Sequence, residues 1–301
     1  MFEIIGENIH FLLNSVLGLI MFGLGMSLKR SDFQELFHQP KALSIGLFSQ
    51  MILLPMMAVV WVMFSGLSPE FKIGVLILSI CPGGITSNLV SYFVKGNVAL
   101  SVSLTVINSL LTLFSIPILV NIFLNYFDVS NDGLVHLPVL DTMFSIFNIT
   151  ILPASVGMFL RDRLGKKILQ IQKYINIVLP VLLFIVFGIK FLGSNQNGGT
   201  GISINEIIKL TPIVIGLNVS AMLLGVVVAT IFNLSFKNRV TIAVEVGLHN
   251  TALALIVAGE KLGITAMEKP ALVYAMYSFF ITYGISILLV RVRLYRLKKR
   301  A

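Results

Sequence analysis

The sequence predicts an all-α polytopic membrane protein of nine transmembrane helices, on three observations. The 301 residues are 56% hydrophobic and only 12% charged, with mean hydropathy +0.95, whereas soluble domains carry about 25% charged residues. Nine apolar runs, 9–28, 41–64, 71–94, 98–124, 138–160, 174–193, 208–233, 239–258 and 270–291, are each near the length that spans a bilayer. Basic residues also alternate between the connections. Of 22 Lys and Arg residues, 17 fall in one set of alternate loops plus the C-terminal tail, and the other loops hold Lys72, Lys190, Lys209, Lys261 and Lys269.

In chain order, the first run follows Glu3 and Glu7 with no basic residue before it, so a cleaved signal peptide is not expected. The third run is interrupted by Pro82-Gly83-Gly84, since proline removes a backbone donor and glycine weakens a helix. The charged stretch 161–173 reads as the joint between two halves, 1–160 and 161–301, of one transmembrane domain. The loop 193–205, rich in Gly and Asn, reads as a flexible external connection. The eighth run breaks more softly, around Gly247. The basic tail, Arg291 to Arg300, reads as an orientation anchor, with a lipid or partner site as the alternative.

The positive-inside rule puts the N-terminus outside and the C-terminus in the cytoplasm of a plasma (inner) membrane. The two interrupted runs, third and eighth, are then five apart and oppositely directed. That pattern fits two inverted five-helix repeats with the first helix of the first repeat missing, and such paired interruptions point to a site at the bilayer midplane.

The chemistry centres on Glu245, the one carboxylate set deep in an apolar stretch. A charge at bilayer depth costs roughly 2.5–3.5 kcal/mol on insertion scales, and is kept where it handles an ion, proton or substrate. The interruption Cys81-Pro82-Gly83-Gly84-Ile85-Thr86-Ser87-Asn88 frees carbonyls and hydroxyls suited to a small cation, and helix N-terminal amides suited to an anion. Ser101 and Thr105 lie one turn apart on one helix face, either as further oxygen donors or as helix–helix hydrogen bonds. A kink is the plainer alternative for Pro82-Gly83-Gly84 alone.

Other functions are excluded or disfavoured. Cys81 is the only cysteine, so no intrachain disulfide or cysteine metal cluster forms. The net charge of +9 is accounted for by cytoplasmic loops, and nucleic acid is not an expected partner. No His-Glu-x-x-His, Gly-x-Ser-x-Gly or nucleotide-binding Gly-x-x-x-x-Gly-Lys motif is present. An enzyme is therefore not expected, nor an organic cofactor.

The stretch from Cys81 to Asn88, continuing through Tyr92 and Lys95 to Ser101, resembles the signature of the bile acid:sodium symporter family. So does Glu245-Val246-Gly247-Leu248-His249-Asn250, where that family shows Glu-x-Gly-x-Gln-Asn. Met21 to Met26 and Gln50 to Pro55 are similar to its opening helices, and the likeness covers nearly the whole chain. The resemblance implies a core domain built on two crossing broken helices, a flatter panel domain, and alternating access driven by sodium. It implies one sodium among Ser87, Asn88, Ser101, Thr105 and Glu245. A second would lie near Gln50, Glu245, Val246, Leu248 and His249. His249 departs from the family pattern, offering a titratable nitrogen in place of an amide oxygen. Some relatives carry a His-Asn pair near the end of the last helix where this chain has Ile281-Thr282. Thr86, Asn250 and Thr282 are the substrate candidates.

The leading reading is a sodium-coupled importer of a small organic anion, bile-acid-like or pantoate-like, using one or two sodium ions. The alternatives are a proton-coupled or exporting carrier on the same scaffold, motivated by His249, a membrane enzyme, and a channel. Oligomeric state is not legible in the sequence.

Overall fold

A computed structural model describes residues 9–28, 39–129, 135–194 and 198–299. Glu3, Glu7, Lys29, Arg30, Arg300 and the Asn195-Gln196-Asn197 part of the external loop lie outside the described residues. Among the described residues the chain is helical, without strands apart from one isolated backbone bridge.

Helices occupy each predicted apolar run. They are α1 (Ile9–Ser27), α2 (Pro40–Phe48) and α3 (Leu54–Met63), α4 (Pro69–Ile80) and α5 (Ile85–Phe93), α6 (Val98–Tyr126), and α7 (Val139–Ile146) with α8 (Leu152–Leu164). After these come α9 (Lys166–Leu192), α10 (Ile204–Ile231), α11 (Phe236–Gly247) with α12 (Thr251–Leu255), and α13 (Thr265–Lys298). Among the described residues, five continuous stretches are long and apolar enough to cross a membrane: Pro40–Met63, Val98–Tyr126, Val139–Leu164, Ile204–Ile231 and Thr265–Tyr295. Phe11–Ser27 and Val181–Leu192 are shorter apolar helices. The protein is thus an integral membrane protein built from helices.

Among the described residues, three helical stretches contain a wider, π-helical turn, which periodicity does not reveal: Ser49–Leu53, Phe147–Ile151 and Ile256–Lys261. The first two come just before Pro55 and Pro153. Proline lacks an N–H and its ring crowds the preceding turn. Widening that turn lets the helix continue through the proline instead of breaking there.

The charged joint expected at 161–173 is helical on both sides of a single residue. α8 ends at Leu164, α9 starts at Lys166, and Gly165 turns the chain at φ +53° and ψ −125°. That conformation is open to glycine and strained for other residues. Arg161 and Arg163 sit in the last turn of α8, where cations favour the helix C-terminus, and Arg161 Nη1 donates to the Met26 carbonyl at 2.5 Å.

Packing divides the helices into two groups. α1 lies along α7–α8 and α9, while α10 packs on α11 and α13, and α4 on α13. Small residues let the backbones approach. A Cβ on Gly25 would collide with the Ala154 backbone, one on Gly157 with the Phe22 carbonyl, and one on Gly225 with Ala243. Close approach through small residues is how helices associate where lipid removes the hydrophobic drive between them. Replacing Gly25 or Gly157 by Leu should split α1 from α8 and lower stability by about 1–3 kcal/mol. A thermal unfolding midpoint in detergent equal to the parent protein's would contradict that packing.

Candidate functional site: a buried carboxylate where two helix breaks meet

Each broken run has a short extended segment between its helices. α4 ends at Ile80, Cys81 is extended (φ −71°, ψ 146°), and α5 resumes at Ile85 after the extended Gly84. α11 ends at Gly247, Leu248 is extended (φ −118°, ψ 115°), and α12 starts at Thr251. The two segments pair antiparallel: Gly83 bridges His249, and the Asn250 amide donates to the Pro82 carbonyl at 2.8 Å. Backbone groups freed by unwinding, which lipid cannot satisfy, thus find partners in each other.

Glu245 is fully buried one turn before the second break. Ser101 Oγ donates to its Oε2 at 3.0 Å and Thr105 Oγ1 to its Oε1 at 2.6 Å. The two hydroxyls expected on one face of α6 therefore converge on the same carboxylate. Gly83 lies against it so closely that a Cβ there would overlap Glu245 Oε1. Ser87 is buried beside this point and donates to the Gly84 carbonyl at 2.7 Å. Asn88 is buried, and neither end of its amide has a hydrogen-bond partner among the described residues.

Gln50 lies in the π-turn Ser49–Leu53, is 2% exposed, and likewise has both amide atoms unpartnered. Val246 and Leu248 flank Gly247 and are buried; the Leu248 side chain packs with Val90, Val94, Val240 and Val244. His249 is 4% exposed, with Nδ1 2.9 Å from the Tyr274 hydroxyl. That hydroxyl donates to the Gly247 carbonyl. Its single proton being used there, Tyr274 accepts from Nδ1–H, and in the neutral ring the lone pair falls on Nε2. Nε2 is buried and has no hydrogen-bond partner among the described residues.

The substrate candidates separate. Thr86 is exposed in the first turn of α5. Asn250 is buried and caps α12, its Oδ1 accepting from Leu253 N at 3.1 Å. Thr282 is fully buried, with Asn218 Nδ2 donating to its hydroxyl at 3.1 Å. Asn218 Nδ2 also reaches the Gly247 carbonyl at 2.6 Å. Thr282 therefore belongs to the Asn218–Tyr274 cluster that holds the end of α11. Asn218 and Tyr274 were not singled out in the sequence, although Asn218 is a carboxamide within an otherwise apolar run.

Glu245 is not the only deeply buried carboxylate. Glu268 and Lys190 are each 2% exposed and form an ion pair at 2.8 Å between α13 and α9. Lys190 counts as a loop charge by its place near the end of an apolar run, and only the fold shows that α9 carries it inward. Asn14 on α1 donates to Glu260 Oε2 at 2.7 Å.

The donor set around Glu245 is hydroxyl, carboxylate and freed backbone carbonyl, all oxygen, and the cradle at Gly83 has no room for a side chain. Those features fit a small hard cation. Among the described residues, no group of three His, Cys, Asp or Glu stands ready for a more highly charged metal. An all-helical membrane protein with one buried carboxylate at two paired helix breaks has the form of a membrane carrier. Residues 15–197 match the Sodium Bile acid symporter family, and the chain belongs to that family.

Curated relatives agree. The chain is 28% identical, over 80% of its own length and 72% of the other, to the Uncharacterized sodium-dependent transporter YocS of Bacillus subtilis (strain 168). It is 27% identical to the Probable sodium/metabolite cotransporter BASS1, chloroplastic, of Arabidopsis thaliana, over 85% of this chain and 61% of that one. It is 28% identical to the Ileal sodium/bile acid cotransporter of Homo sapiens, over 80% of this chain and 67% of that one. These relatives are named as transporters, not enzymes.

Lys190→Met alone should strand Glu268 and lower stability by about 3–5 kcal/mol, whereas Lys190→Met with Glu268→Leu should recover most of the loss. Thermal unfolding of the single and double variants checks this. Equal loss in both would show that the charges do not act as a pair.

Proposed function

We propose that this protein is a sodium-coupled symporter that imports a small organic anion by alternating access. The observation that carries the reading is Glu245, buried between Ser101 and Thr105 at the point where two helix breaks pair. Family membership and the relatives' names support sodium as the coupling ion.

Sodium binds first beside Glu245, with Ser87, Asn88, Ser101 and Thr105 as its remaining ligands. The carboxylate neutralises the cation, so the loaded site crosses the low-dielectric interior at lower cost than either charge alone. The second sodium position, lined by Gln50, the Val246 and Leu248 carbonyls and His249, is the weaker one, because His249 turns a nitrogen lone pair where the family has an amide oxygen. The N-termini of α5 and α12 face the paired breaks with free amides, which suits a carboxylate or sulfonate, bile-acid-like or pantoate-like. Thr86 and Asn250 stand at those two helix starts, and Thr282 supports α11 behind them.

The two packing groups form the moving parts: α1, α7–α8 and α9 as a panel, and the remaining helices as a core. Nine spans with the N-terminus outside and the C-terminus in the cytoplasm follow from the basic-residue asymmetry. A proton-coupled carrier is the alternative, favoured by the unpartnered, buried Nε2 of His249.

Sodium should raise the melting temperature of the purified protein where potassium does not, because a ligand bound only by the folded state stabilises it. Glu245→Gln should remove that rise and reduce sodium-driven uptake at least about tenfold, the loss expected from about 1.4 kcal/mol of ligand interaction. Identical sodium and potassium responses would overturn the symport reading and bring the proton-coupled one forward.

A further inference from the structure

Glu268 and Lys269 are neighbours near the start of α13, yet their side chains part. Lys269 Nζ meets Glu206 Oε1 of α10 at 2.7 Å, within its own packing group. Glu268 turns to Lys190 in the last turn of α9, across the boundary between the groups. A second contact crosses at the same end: Asn14, near the start of α1, donates to Glu260 Oε2 in the π-turn just before α13. The end of α9 and the starts of α1 and α13 lie on the side of the sparse basic loops, which the orientation proposed above places outside. At the opposite end, the Arg161 bond to Met26 stays within one group, and the Gln39–Asn97–Asn238 cluster stays within the other.

The Lys190–Glu268 pair is sealed from both sides. A Cβ on Gly259 would overlap Glu268 Oε1, so the backbone of the π-turn covers the carboxylate. The amide and hydroxyl of Thr200 donate to the Lys190 carbonyl at 2.8 and 3.0 Å, and Thr200 is fully buried, so the segment before α10 folds back onto the end of α9. In a buried ion pair, lost hydration offsets most of the attraction. Parting the two charges into water returns that hydration, so such a pair separates at low net cost. An apolar contact of similar size would expose its surface to water at every opening. Charges at this boundary therefore suit a contact that opens and closes.

We propose that Lys190 and Glu268 form the latch of the gate at this end of the molecule, the external one in the proposed orientation. The pair is closed while that end is shut, as in this structure, and parts into water when the panel moves from the core. The inference rests on the alternating-access reading above and assigns it a gating pair outside the site at Glu245.

The test is the separation of panel and core at this end, read by pulsed electron spin resonance in the full-length protein in lipid nanodiscs. Spin labels go on Leu192→Cys at the end of α9 and Phe64→Cys after α3, both exposed positions, in a Cys81→Ala background. The parent should show a major short distance and a minor long one. Glu268→Gln should raise the ratio of long to short about tenfold, because an unpaired Lys190 favours the parted, hydrated state. The charge swap Lys190→Glu/Glu268→Lys should bring the ratio back to that of the parent. The apolar pair Lys190→Met/Glu268→Leu should push it below the parent's, since opening then exposes apolar surface. A parent-like ratio in folded Glu268→Gln overturns the proposal, as does a charge swap that matches Glu268→Gln. If Glu268→Gln does not fold, the apolar pair decides, and a ratio not below the parent's overturns the latch. One unchanging distance in the parent and every variant overturns alternating access between these groups, and the latch with it. Two distances whose ratio no variant moves overturn the latch alone.

Discussion

The antiparallel pairing of Gly83 with His249, closed by the Asn250 amide on the Pro82 carbonyl, is the contact on which the rest of the structure depends. Unwinding a helix inside lipid leaves carbonyls and amides without water to satisfy them. One break alone would be too costly to keep. Two breaks brought face to face satisfy part of each other's backbone, and the remaining groups point at a common space. Glu245 occupies the edge of that space because Gly83 has no side chain to exclude it. The carboxylate then draws Ser101 and Thr105 inward from α6. Breaks, glycine, carboxylate and hydroxyls form one arrangement in which removing any member strands the others.

The second break needs more support than the first, and the fold provides it. The Gly247 carbonyl, at the unsupported end of α11, accepts from both Asn218 and Tyr274. Tyr274 in turn orients His249. A side chain placed at a potential ligand position is thus held by the same hydrogen bonds that terminate the helix. At the opposite ends of these elements, Gln39, Asn97 and Asn238 bond to one another and Thr241 accepts from the Asn97 amide, tying the starts of α2, α6 and α11 together. Such a clamp fixes the start of α2 against that of α6, and Leu104 packs on Gly46 two turns further on.

Two polar contacts between the packing groups, one an ion pair and one a hydrogen bond from a neutral amide to a carboxylate, have a different character. Lys190–Glu268 and Asn14–Glu260 join α9 and α1 to α13 and the turn before it. Within each group small residues bring backbones into direct contact.

Apolar run length, the interruption at Pro82-Gly83-Gly84 and the isolation of Glu245 in an apolar stretch were legible in the sequence because each reflects a local cost: backbone in lipid, proline in a helix, charge at depth. The helical class, the location of both breaks, and Ser101 and Thr105 on one face follow from such costs and from helical spacing. The π-turns were not legible, because a widened turn keeps the composition of an ordinary helix. Nor was the burial of Lys190 and Glu268, since charges at the ends of apolar runs look like loop charges until a neighbouring helix covers them. What only the tertiary structure decided is which distant groups meet: Gly83 with His249, Asn218 with Thr282, Lys190 with Glu268. Those meetings depend on interhelical register, which is set by glycine contacts and buried hydrogen bonds between segments far apart in the chain, and periodicity within one segment carries no information about them.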